Sequence, residues 1–354
     1  MHLIATIGPR SSQPEIIDKI IEGGINTIRI NLSHGIYENI DEAVKYIRAK
    51  YNDINILMDL QGNKIRVSNK LKTSFRATEK SNIYFCSEDD YESYLRNKKY
   101  NNLIPLNISR NILLSKSFKK IYMKDGTMEF ITLGKENYTI KTLVKIGGIV
   151  RAEKGCNLPG IDRSGWGLTE KDIRDIEYAL SRNVDIISYS YCCNKIQCKE
   201  LKENIFAKLK NKQAIPKIWG KIETKDGIDN IKEISQELDG VVIARGDLVP
   251  ETHLLNIPII QDKIVNSLKG EFKEIIVATN VLNSMKNNNL PTINELSDIY
   301  TLIKGGATGF MLTGETTVGK KHKEVVSLLK QVTDYYKEVL KKAKKKKDDL
   351  IKNN

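Results

Sequence analysis

The stretch IPKIWGKIETKDGIDNIKEISQELDGVVIARGD, residues 215–247, carries an apolar, β-branched run at 215–223, a helical pattern, and a second such run at 240–244. A strand, a helix and another strand in that order specify two parallel strands joined by a crossover helix. Working outward, the same unit recurs along the chain. Comparable runs lie at 2–7, 26–32, 54–59, 184–191, 274–279 and 307–313, which with the quoted pair makes eight. Helical patterns lie between them, such as 14–22 with Ser12 as its expected N-cap, and 170–181, capped by Thr169 with Asp172 three residues on. Eight such units close a TIM (β/α)8 barrel of the α/β class, whose reactive residues occupy the C-terminal ends of the strands.

The alternation breaks once, between the third and fourth runs. Residues 67–157 hold short strand-like pieces at 121–123, 130–133, 138–144 and 149–152, separated by Gly and Asp turns. They read as a small β-barrel lid domain inserted in a barrel loop. The expected organisation is a catalytic barrel from residues 1–66 and 158–336, a lid from 67–157, and a Lys-rich C-terminal tail from 337–354. That tail has few apolar anchors and reads as a solvated helix.

Composition narrows the function. With 354 residues, 40% hydrophobic and 29% charged, the chain is too long for a single small binding module and too apolar for wholesale disorder. The formal charge is +13, of which Lys337 to Asn354 supply +5. Aromatic residues do not interleave with the remaining basic ones, which argues against nucleic acid and leaves phosphorylated small molecules as the anionic partners. The cysteines Cys86, Cys156, Cys192, Cys193 and Cys198 are odd in number and form no Cys-x-x-Cys pair. They fit neither a disulfide scaffold nor a zinc site and point to a reducing compartment. No run of eighteen apolar residues and no basic leader followed by an apolar run is present, so the expectation is a cytoplasmic protein with no membrane partner.

The strand ends collect an unusual set. The second run ends in Arg29, Asn31, Ser33 and His34, and the third in Asp59, with Lys64 and Arg66 beyond. The fifth ends in Lys221 and Glu223, the sixth leads into Arg245, Gly246 and Asp247, and the seventh ends in Thr279. Glu223 and Asp247 suit two oxygen ligands of a divalent cation with open positions for substrate, although each taken singly reads better as an ordinary surface carboxylate. Lys221 is two residues from Glu223 and so on the same strand face. With Arg29 and a cation it forms a clamp for a phosphoryl group, whose transfer depends on positioning and charge neutralisation. Gly246 lets a substrate anion approach the backbone amides.

The chain resembles the pyruvate kinase family. The match runs through Ala5-Thr6-Ile7-Gly8-Pro9, Arg29-Ile30-Asn31-Leu32-Ser33-His34-Gly35, Lys154-Gly155-Cys156-Asn157-Leu158-Pro159-Gly160, Lys221-Ile222-Glu223, Ala244-Arg245-Gly246-Asp247-Leu248, Ala278-Thr279, Pro291-Thr292 and Gly314-Glu315-Thr316. The motifs occur in the family's order and span nearly the whole chain. The resemblance implies phosphoryl transfer from phosphoenolpyruvate to ADP, giving pyruvate and ATP, with Mg2+ or Mn2+ required. It gives Lys221 the transferring phosphoryl group, Glu223 and Asp247 the metal, and Arg29, Gly246 and Thr279 substrate contacts, Thr279 near the enolate carbon. Asn31, Ser33, His34, Arg66 and Lys154 match nucleotide-site positions.

Potassium-dependent members have Glu where this chain has Lys64. Leu60, Gln61, Lys64 and Val67 all resemble the potassium-independent group, and a fixed ammonium at Lys64 stands in for K+. Other positions depart from the family. Its Arg three residues after the Ser matching Ser190 is Cys193, the Arg after Pro-Thr is Ile293, the Gln after Ala-Thr is Asn280, and the Pro matching Asn63 is missing. The family continues past the barrel into a regulatory domain, so a chain ending at Asn354 implies no such allosteric site. Since the Arg lost at Ile293 lies at a family subunit contact, the argument for the usual tetramer is weakened, while a homo-oligomer through the barrel stays open. His2, His253 and His322 read as surface or structural residues, Trp219 and Tyr191 as packing, and Cys192 and Cys193 as structural. Two other functions remain open: a relative acting on another phosphorylated enol or acceptor, and a non-catalytic regulatory protein.

Overall fold

The computed structural model describes residues 1–8, 11–33, 37–96, 100, 102–210, 213–271 and 273–352. Its centre is a closed barrel of eight parallel strands: β1 (His2–Ile7), β2 (Thr27–Asn31), β3 (Asn55–Leu60), β4 (Ile186–Tyr189), β5 (Lys217–Ile222), β6 (Gly240–Ala244), β7 (Glu274–Ala278) and β8 (Gly309–Leu312). Neighbours in sequence are neighbours in the sheet, and β8 pairs back onto β1 with His2 opposite Gly309. The eight expected runs are these eight strands. The run at 184–191 shortens to Ile186–Tyr189, and beyond its C-terminal end Tyr191 turns into the left-handed region at φ 57°.

Period-two alternation sets what each wall presents. Outward residues such as Ile28, Ile30, Met58, Ile218, Ile243 and Val277 pack against the surrounding helices. Each fully buried aliphatic chain of this kind stabilises the fold by about 1.5–3 kcal/mol. The interior is filled by Ile4, Leu57, Ile186, Trp219, Val242, Ile276, Ala278 and Met311. Two residues further along several strands the same inward face turns polar, Leu57 giving way to Asp59 and Trp219 to Lys221. The N-terminal end is tied by Glu274, which accepts from the Trp219 indole at 2.7 Å and meets His2 Nε2 at 2.8 Å and Lys217. Trp219 is therefore packing, as expected, with its one polar atom satisfied.

Helix Pro14–Glu22 has the expected bounds but not the expected cap. Gln13, not Ser12, is the N-cap, and no side chain caps the helix. Pro14 occupies the first turn and forces the residue before it to be extended, which makes Gln13 the boundary. Helix Glu170–Ser181 carries the full capping box of Thr169 and Asp172. Asp172 also accepts the Gly62 N–H at 2.9 Å, which pins the loop after β3. Gly62 is at φ 61°, and a Cβ there would lie 2.2 Å from the Ser190 carbonyl oxygen, so only glycine fits.

Between β3 and β4 the chain builds a second core. Its six-stranded sheet runs, edge to edge, Cys156–Asn157, Lys120–Met123, Met128–Glu136, Thr139–Ile146, Asn82–Ser87 and Leu103–Leu106, and Phe75–Ala77 pairs with Gly148–Val150. Four expected pieces are present with longer or shifted ends; Phe75–Ala77, Asn82–Ser87, Leu103–Leu106 and Cys156–Asn157 are additional. The terminal helix His322–Lys352 buries Val325, Val326 and Leu329, and Lys337, Lys341, Lys342, Lys344, Lys345 and Lys346 further along it are exposed. Among the described residues no helix is long and apolar enough to cross a membrane.

Candidate active site

The C-terminal rim opens into a cavity of about 1080 Å³ whose lining includes Arg29, Asn31, Ser33, Lys64, Arg66, Lys221, Glu223, Gly246, Asp247 and Thr279. Residues placed far apart in sequence thus share one space. Lys154 is not in that lining, although Arg151, from the same part of the inserted segment, is. Burial, with Arg151, Lys124 and Arg66 nearby, pushes the Lys154 ammonium down from its ordinary value. His34 lies outside the described residues.

A chain of charges runs through the inner wall. Arg29 donates from Nε to Asp59 Oδ2 at 3.0 Å, from a second nitrogen to the same oxygen, and from the third to Thr6 Oγ1 at 3.0 Å. Lys221 Nζ stands 3.3 Å from Asp59 Oδ2 and 3.1 Å from Glu223 Oε1, and donates to Ser190 Oγ at 2.9 Å. Burial would strip the Lys221 proton, but Asp59 and Glu223 outweigh it and hold its pKa above the ordinary value. Burial likewise works against an ionised Asp59, and Lys221 and Arg29 overcome it. The wall therefore presents an ammonium that stays charged out of water.

Asp247 faces the same space from the short helix Arg245–Glu251 that follows β6. Lys64 Nζ lies 2.9 and 3.3 Å from its two oxygens, and Tyr191 donates its phenol to Oδ1 at 2.8 Å. These partners hold the Asp247 carboxyl well below the usual range against the pull of burial. The backbone N–H of Tyr191 donates to Glu223 Oε2 at 2.6 Å. One residue thereby touches both carboxylates. Reading Tyr191 as packing alone was incomplete: its ring is buried, but its polar ends hold Glu223 and Asp247.

Among the described residues no three or more His, Cys, Asp or Glu side chains converge on a metal position. Glu223 and Asp247 supply two hard oxygen donors, and a Mg2+-type cation held by two carboxylates keeps positions open for other oxygens. The fit is supported by Glu223 itself. Burial, with Asp247 adding, pushes its carboxyl up despite Lys221 and Lys64, so added positive charge beside it would be stabilising.

Thr279 closes the far side with a strained backbone. It sits at φ 72° and Asn280 at φ 56°, which for a β-branched residue is a true outlier. Arg245 holds the pair, donating from Nε to the Thr279 carbonyl and from a second nitrogen to the Asn280 carbonyl, both at 2.9 Å. The same guanidinium pairs with Asp298 and donates to Gln261 at 3.2 Å. Arg245 thus points behind the rim, not into the cavity. A Cβ at Gly246 would meet Thr279 Cγ2 at 3.0 Å, a second reason for glycine besides an open backbone.

Sequence reasoning gave no role to Asp125 or Arg151, which reach the cavity from the inserted segment, Asp125 standing 4.0 Å from Lys64. A signal was available for Asp125, which precedes Gly126 in a turn, but the distance of both residues from the barrel in sequence hid them.

The family description "Pyruvate kinase, barrel domain" matches residues 1–326. The chain belongs to the pyruvate kinase family. It is 33% identical over 337 residues to a pyruvate kinase of Thermotoga maritima, covering 93% of this chain and 69% of that one. It is 32% identical to a pyruvate kinase of Staphylococcus aureus and 31% to one of Staphylococcus epidermidis, each over 93% of this chain and 56% of the relative. The chain thus spans between about half and two thirds of the length of these relatives. The family's barrel is the barrel seen here, and the inserted sheet lies inside the matched range.

Proposed function

We propose that the protein is a phosphotransferase that moves the phosphoryl group of phosphoenolpyruvate to ADP, giving pyruvate and ATP, with Mg2+ or Mn2+ at Glu223 and Asp247. The observation that carries this reading is the buried, charged Lys221 ammonium held by Asp59, Glu223 and Ser190 on the wall shared with Arg29. A cation fixed there in advance stabilises the charge spread over a transferring phosphoryl group without reorganisation.

In this reading a terminal oxygen of ADP bonds to phosphorus as the bond to the enol oxygen breaks, and Lys221 and Arg29 face the phosphoryl oxygens. The freed enolate takes a proton at its methylene carbon on the Thr279 side, through water. The bound divalent cation supplies further positive charge toward substrate oxygens. Gly246 leaves the backbone open to the substrate carboxylate. Asn31, Ser33, His34, Arg66 and Lys154 serve the nucleotide, and the Asn31 side chain already orders the Ser33 N–H at 2.9 Å.

The finer claims belong to the same proposal. Lys64 replaces the monovalent cation, so K+ is not required. Residues 67–157 act as a lid over the barrel of 1–66 and 158–336, with 337–354 as a solvated tail. Five free, buried cysteines support a cytoplasmic setting. Exposed Leu254, Leu255, Ile259, Leu290 and Ile293 support association of copies through the barrel.

Release of pyruvate from phosphoenolpyruvate and ADP with Mg2+ in K+-free buffer tests the reading. Absence of pyruvate while metal and nucleotide still bind would send the search to a different acceptor.

A further inference from the structure

Tyr191 holds Glu223 through its N–H and Asp247 through its phenol, yet its own backbone is in the left-handed region, at φ 57°. A bulky residue keeps that conformation only when its surroundings over-determine it. The surroundings are supplied by Arg163. Its guanidinium is buried, with Cζ 5.3 Å from the centre of the Tyr191 ring and 5.7 Å from that of Trp166.

One ion pair holds the guanidinium, and three further hydrogen bonds order its surroundings. One nitrogen donates to Glu251 Oε1 at 3.0 Å, and Asn157 donates to the same oxygen at 3.1 Å. Gln197 Nε2 donates to the carbonyl of Arg163 at 3.2 Å and to that of Trp166 at 2.6 Å. Arg163 Nε has no hydrogen-bond partner among the described residues, so Glu251 is the anchor and the ring faces take the remaining charge. Gln197 Oε1 also accepts the Cys193 N–H at 2.8 Å, which brings position 193 to the same small space.

Position 193 is where this chain departs from the family's Arg. We propose that Arg163 is a positioning residue that supplies, from the loop after the inserted sheet, the guanidinium that position 193 lacks, and that it acts through Tyr191 on the spacing of Glu223 and Asp247. For turnover the inference rests on the proposed reaction; for metal affinity it stands on its own.

The test uses the full chain and Mn2+ alone as the probe, titrated by calorimetry, followed by kcat and KM. Three variants are compared: Arg163→Leu; R163Q/E251Q, which replaces the buried ion pair by a neutral pair of similar shape and guards against misfolding; and R163L/C193R. The first two are expected to lose about 10–100-fold in Mn2+ affinity and in kcat, as for other residues that orient metal ligands. R163L/C193R is expected to recover most of that loss, which a merely structural role would not produce. Wild-type Mn2+ affinity in folded R163Q/E251Q, or no recovery in R163L/C193R, would overturn the proposal. A wild-type protein that binds Mn2+ but forms no pyruvate would sink the proposed reaction and leave the affinities to decide Arg163, whereas one that binds no Mn2+ would sink both.

Discussion

Lys64 Nζ stands 2.9 Å from one oxygen of Asp247 and 3.3 Å from the other, so a fixed ammonium is already bonded to one of the two carboxylates proposed to hold the metal. A tethered cation cannot exchange with the buffer, and this is the physical basis of the proposed independence from K+.

The prediction is that turnover is unchanged between K+-free and K+-rich buffers of equal ionic strength. Lys64→Glu removes the tethered charge and is expected to lower kcat in K+-free buffer by about 10–100-fold, with partial recovery on adding K+. Initial rates against K+ concentration check this. A wild-type rate that rises several-fold with K+ would contradict it.

Arg245 is predicted to be structural. Arg245→Leu leaves the Thr279 and Asn280 carbonyls and Asp298 without their partner, and the expected loss of folding stability is about 2–4 kcal/mol. Denaturant unfolding measures it. A change below about 0.5 kcal/mol, the size of an ordinary surface substitution, would show that Thr279 holds its backbone unaided.

The floor of the barrel gives a pH dependence. Burial works against an ionised Glu274, but hydrogen bonds from His2 and Lys217 outweigh it and hold the carboxyl at about 2, below its ordinary 4.5. A depressed carboxyl adds stability that is complete above the unfolded value and is lost as pH falls from about 4.5 through about 2. The stability gap between wild type and Glu274→Gln is therefore expected to shrink as pH falls from 6 towards 3. A gap independent of pH would remove the ion pairs from the account.

How much of this was legible in the sequence depends on how local each signal is. The run Gly240–Ala244 gave its strand to the residue, because five apolar or small residues between turns have one reading. The Thr169–Asp172 cap was equally clear, its partners three residues apart. Ser12 misled because a proline two residues on decided the boundary. The rim residues were found by counting to strand ends. Tyr191 was not, since its role depends on Asp247, 56 residues away, and Arg163 was not, since Glu251 is 88 residues away. The additional strands of the inserted sheet are short and lack clean alternation, so periodicity could not separate them from turns.

The central claim is that the Lys221 ammonium carries the phosphoryl transfer. The most direct measurement is pyruvate formed per ATP formed from phosphoenolpyruvate and ADP with Mg2+ and no K+, for the wild type and for Lys221→Met. The account predicts one pyruvate per ATP in the wild type and a kcat lower by at least about 10²–10³-fold in the variant, the scale of losing a preorganised charge at a transition state. A folded Lys221→Met protein that turns over at the wild-type rate would contradict it.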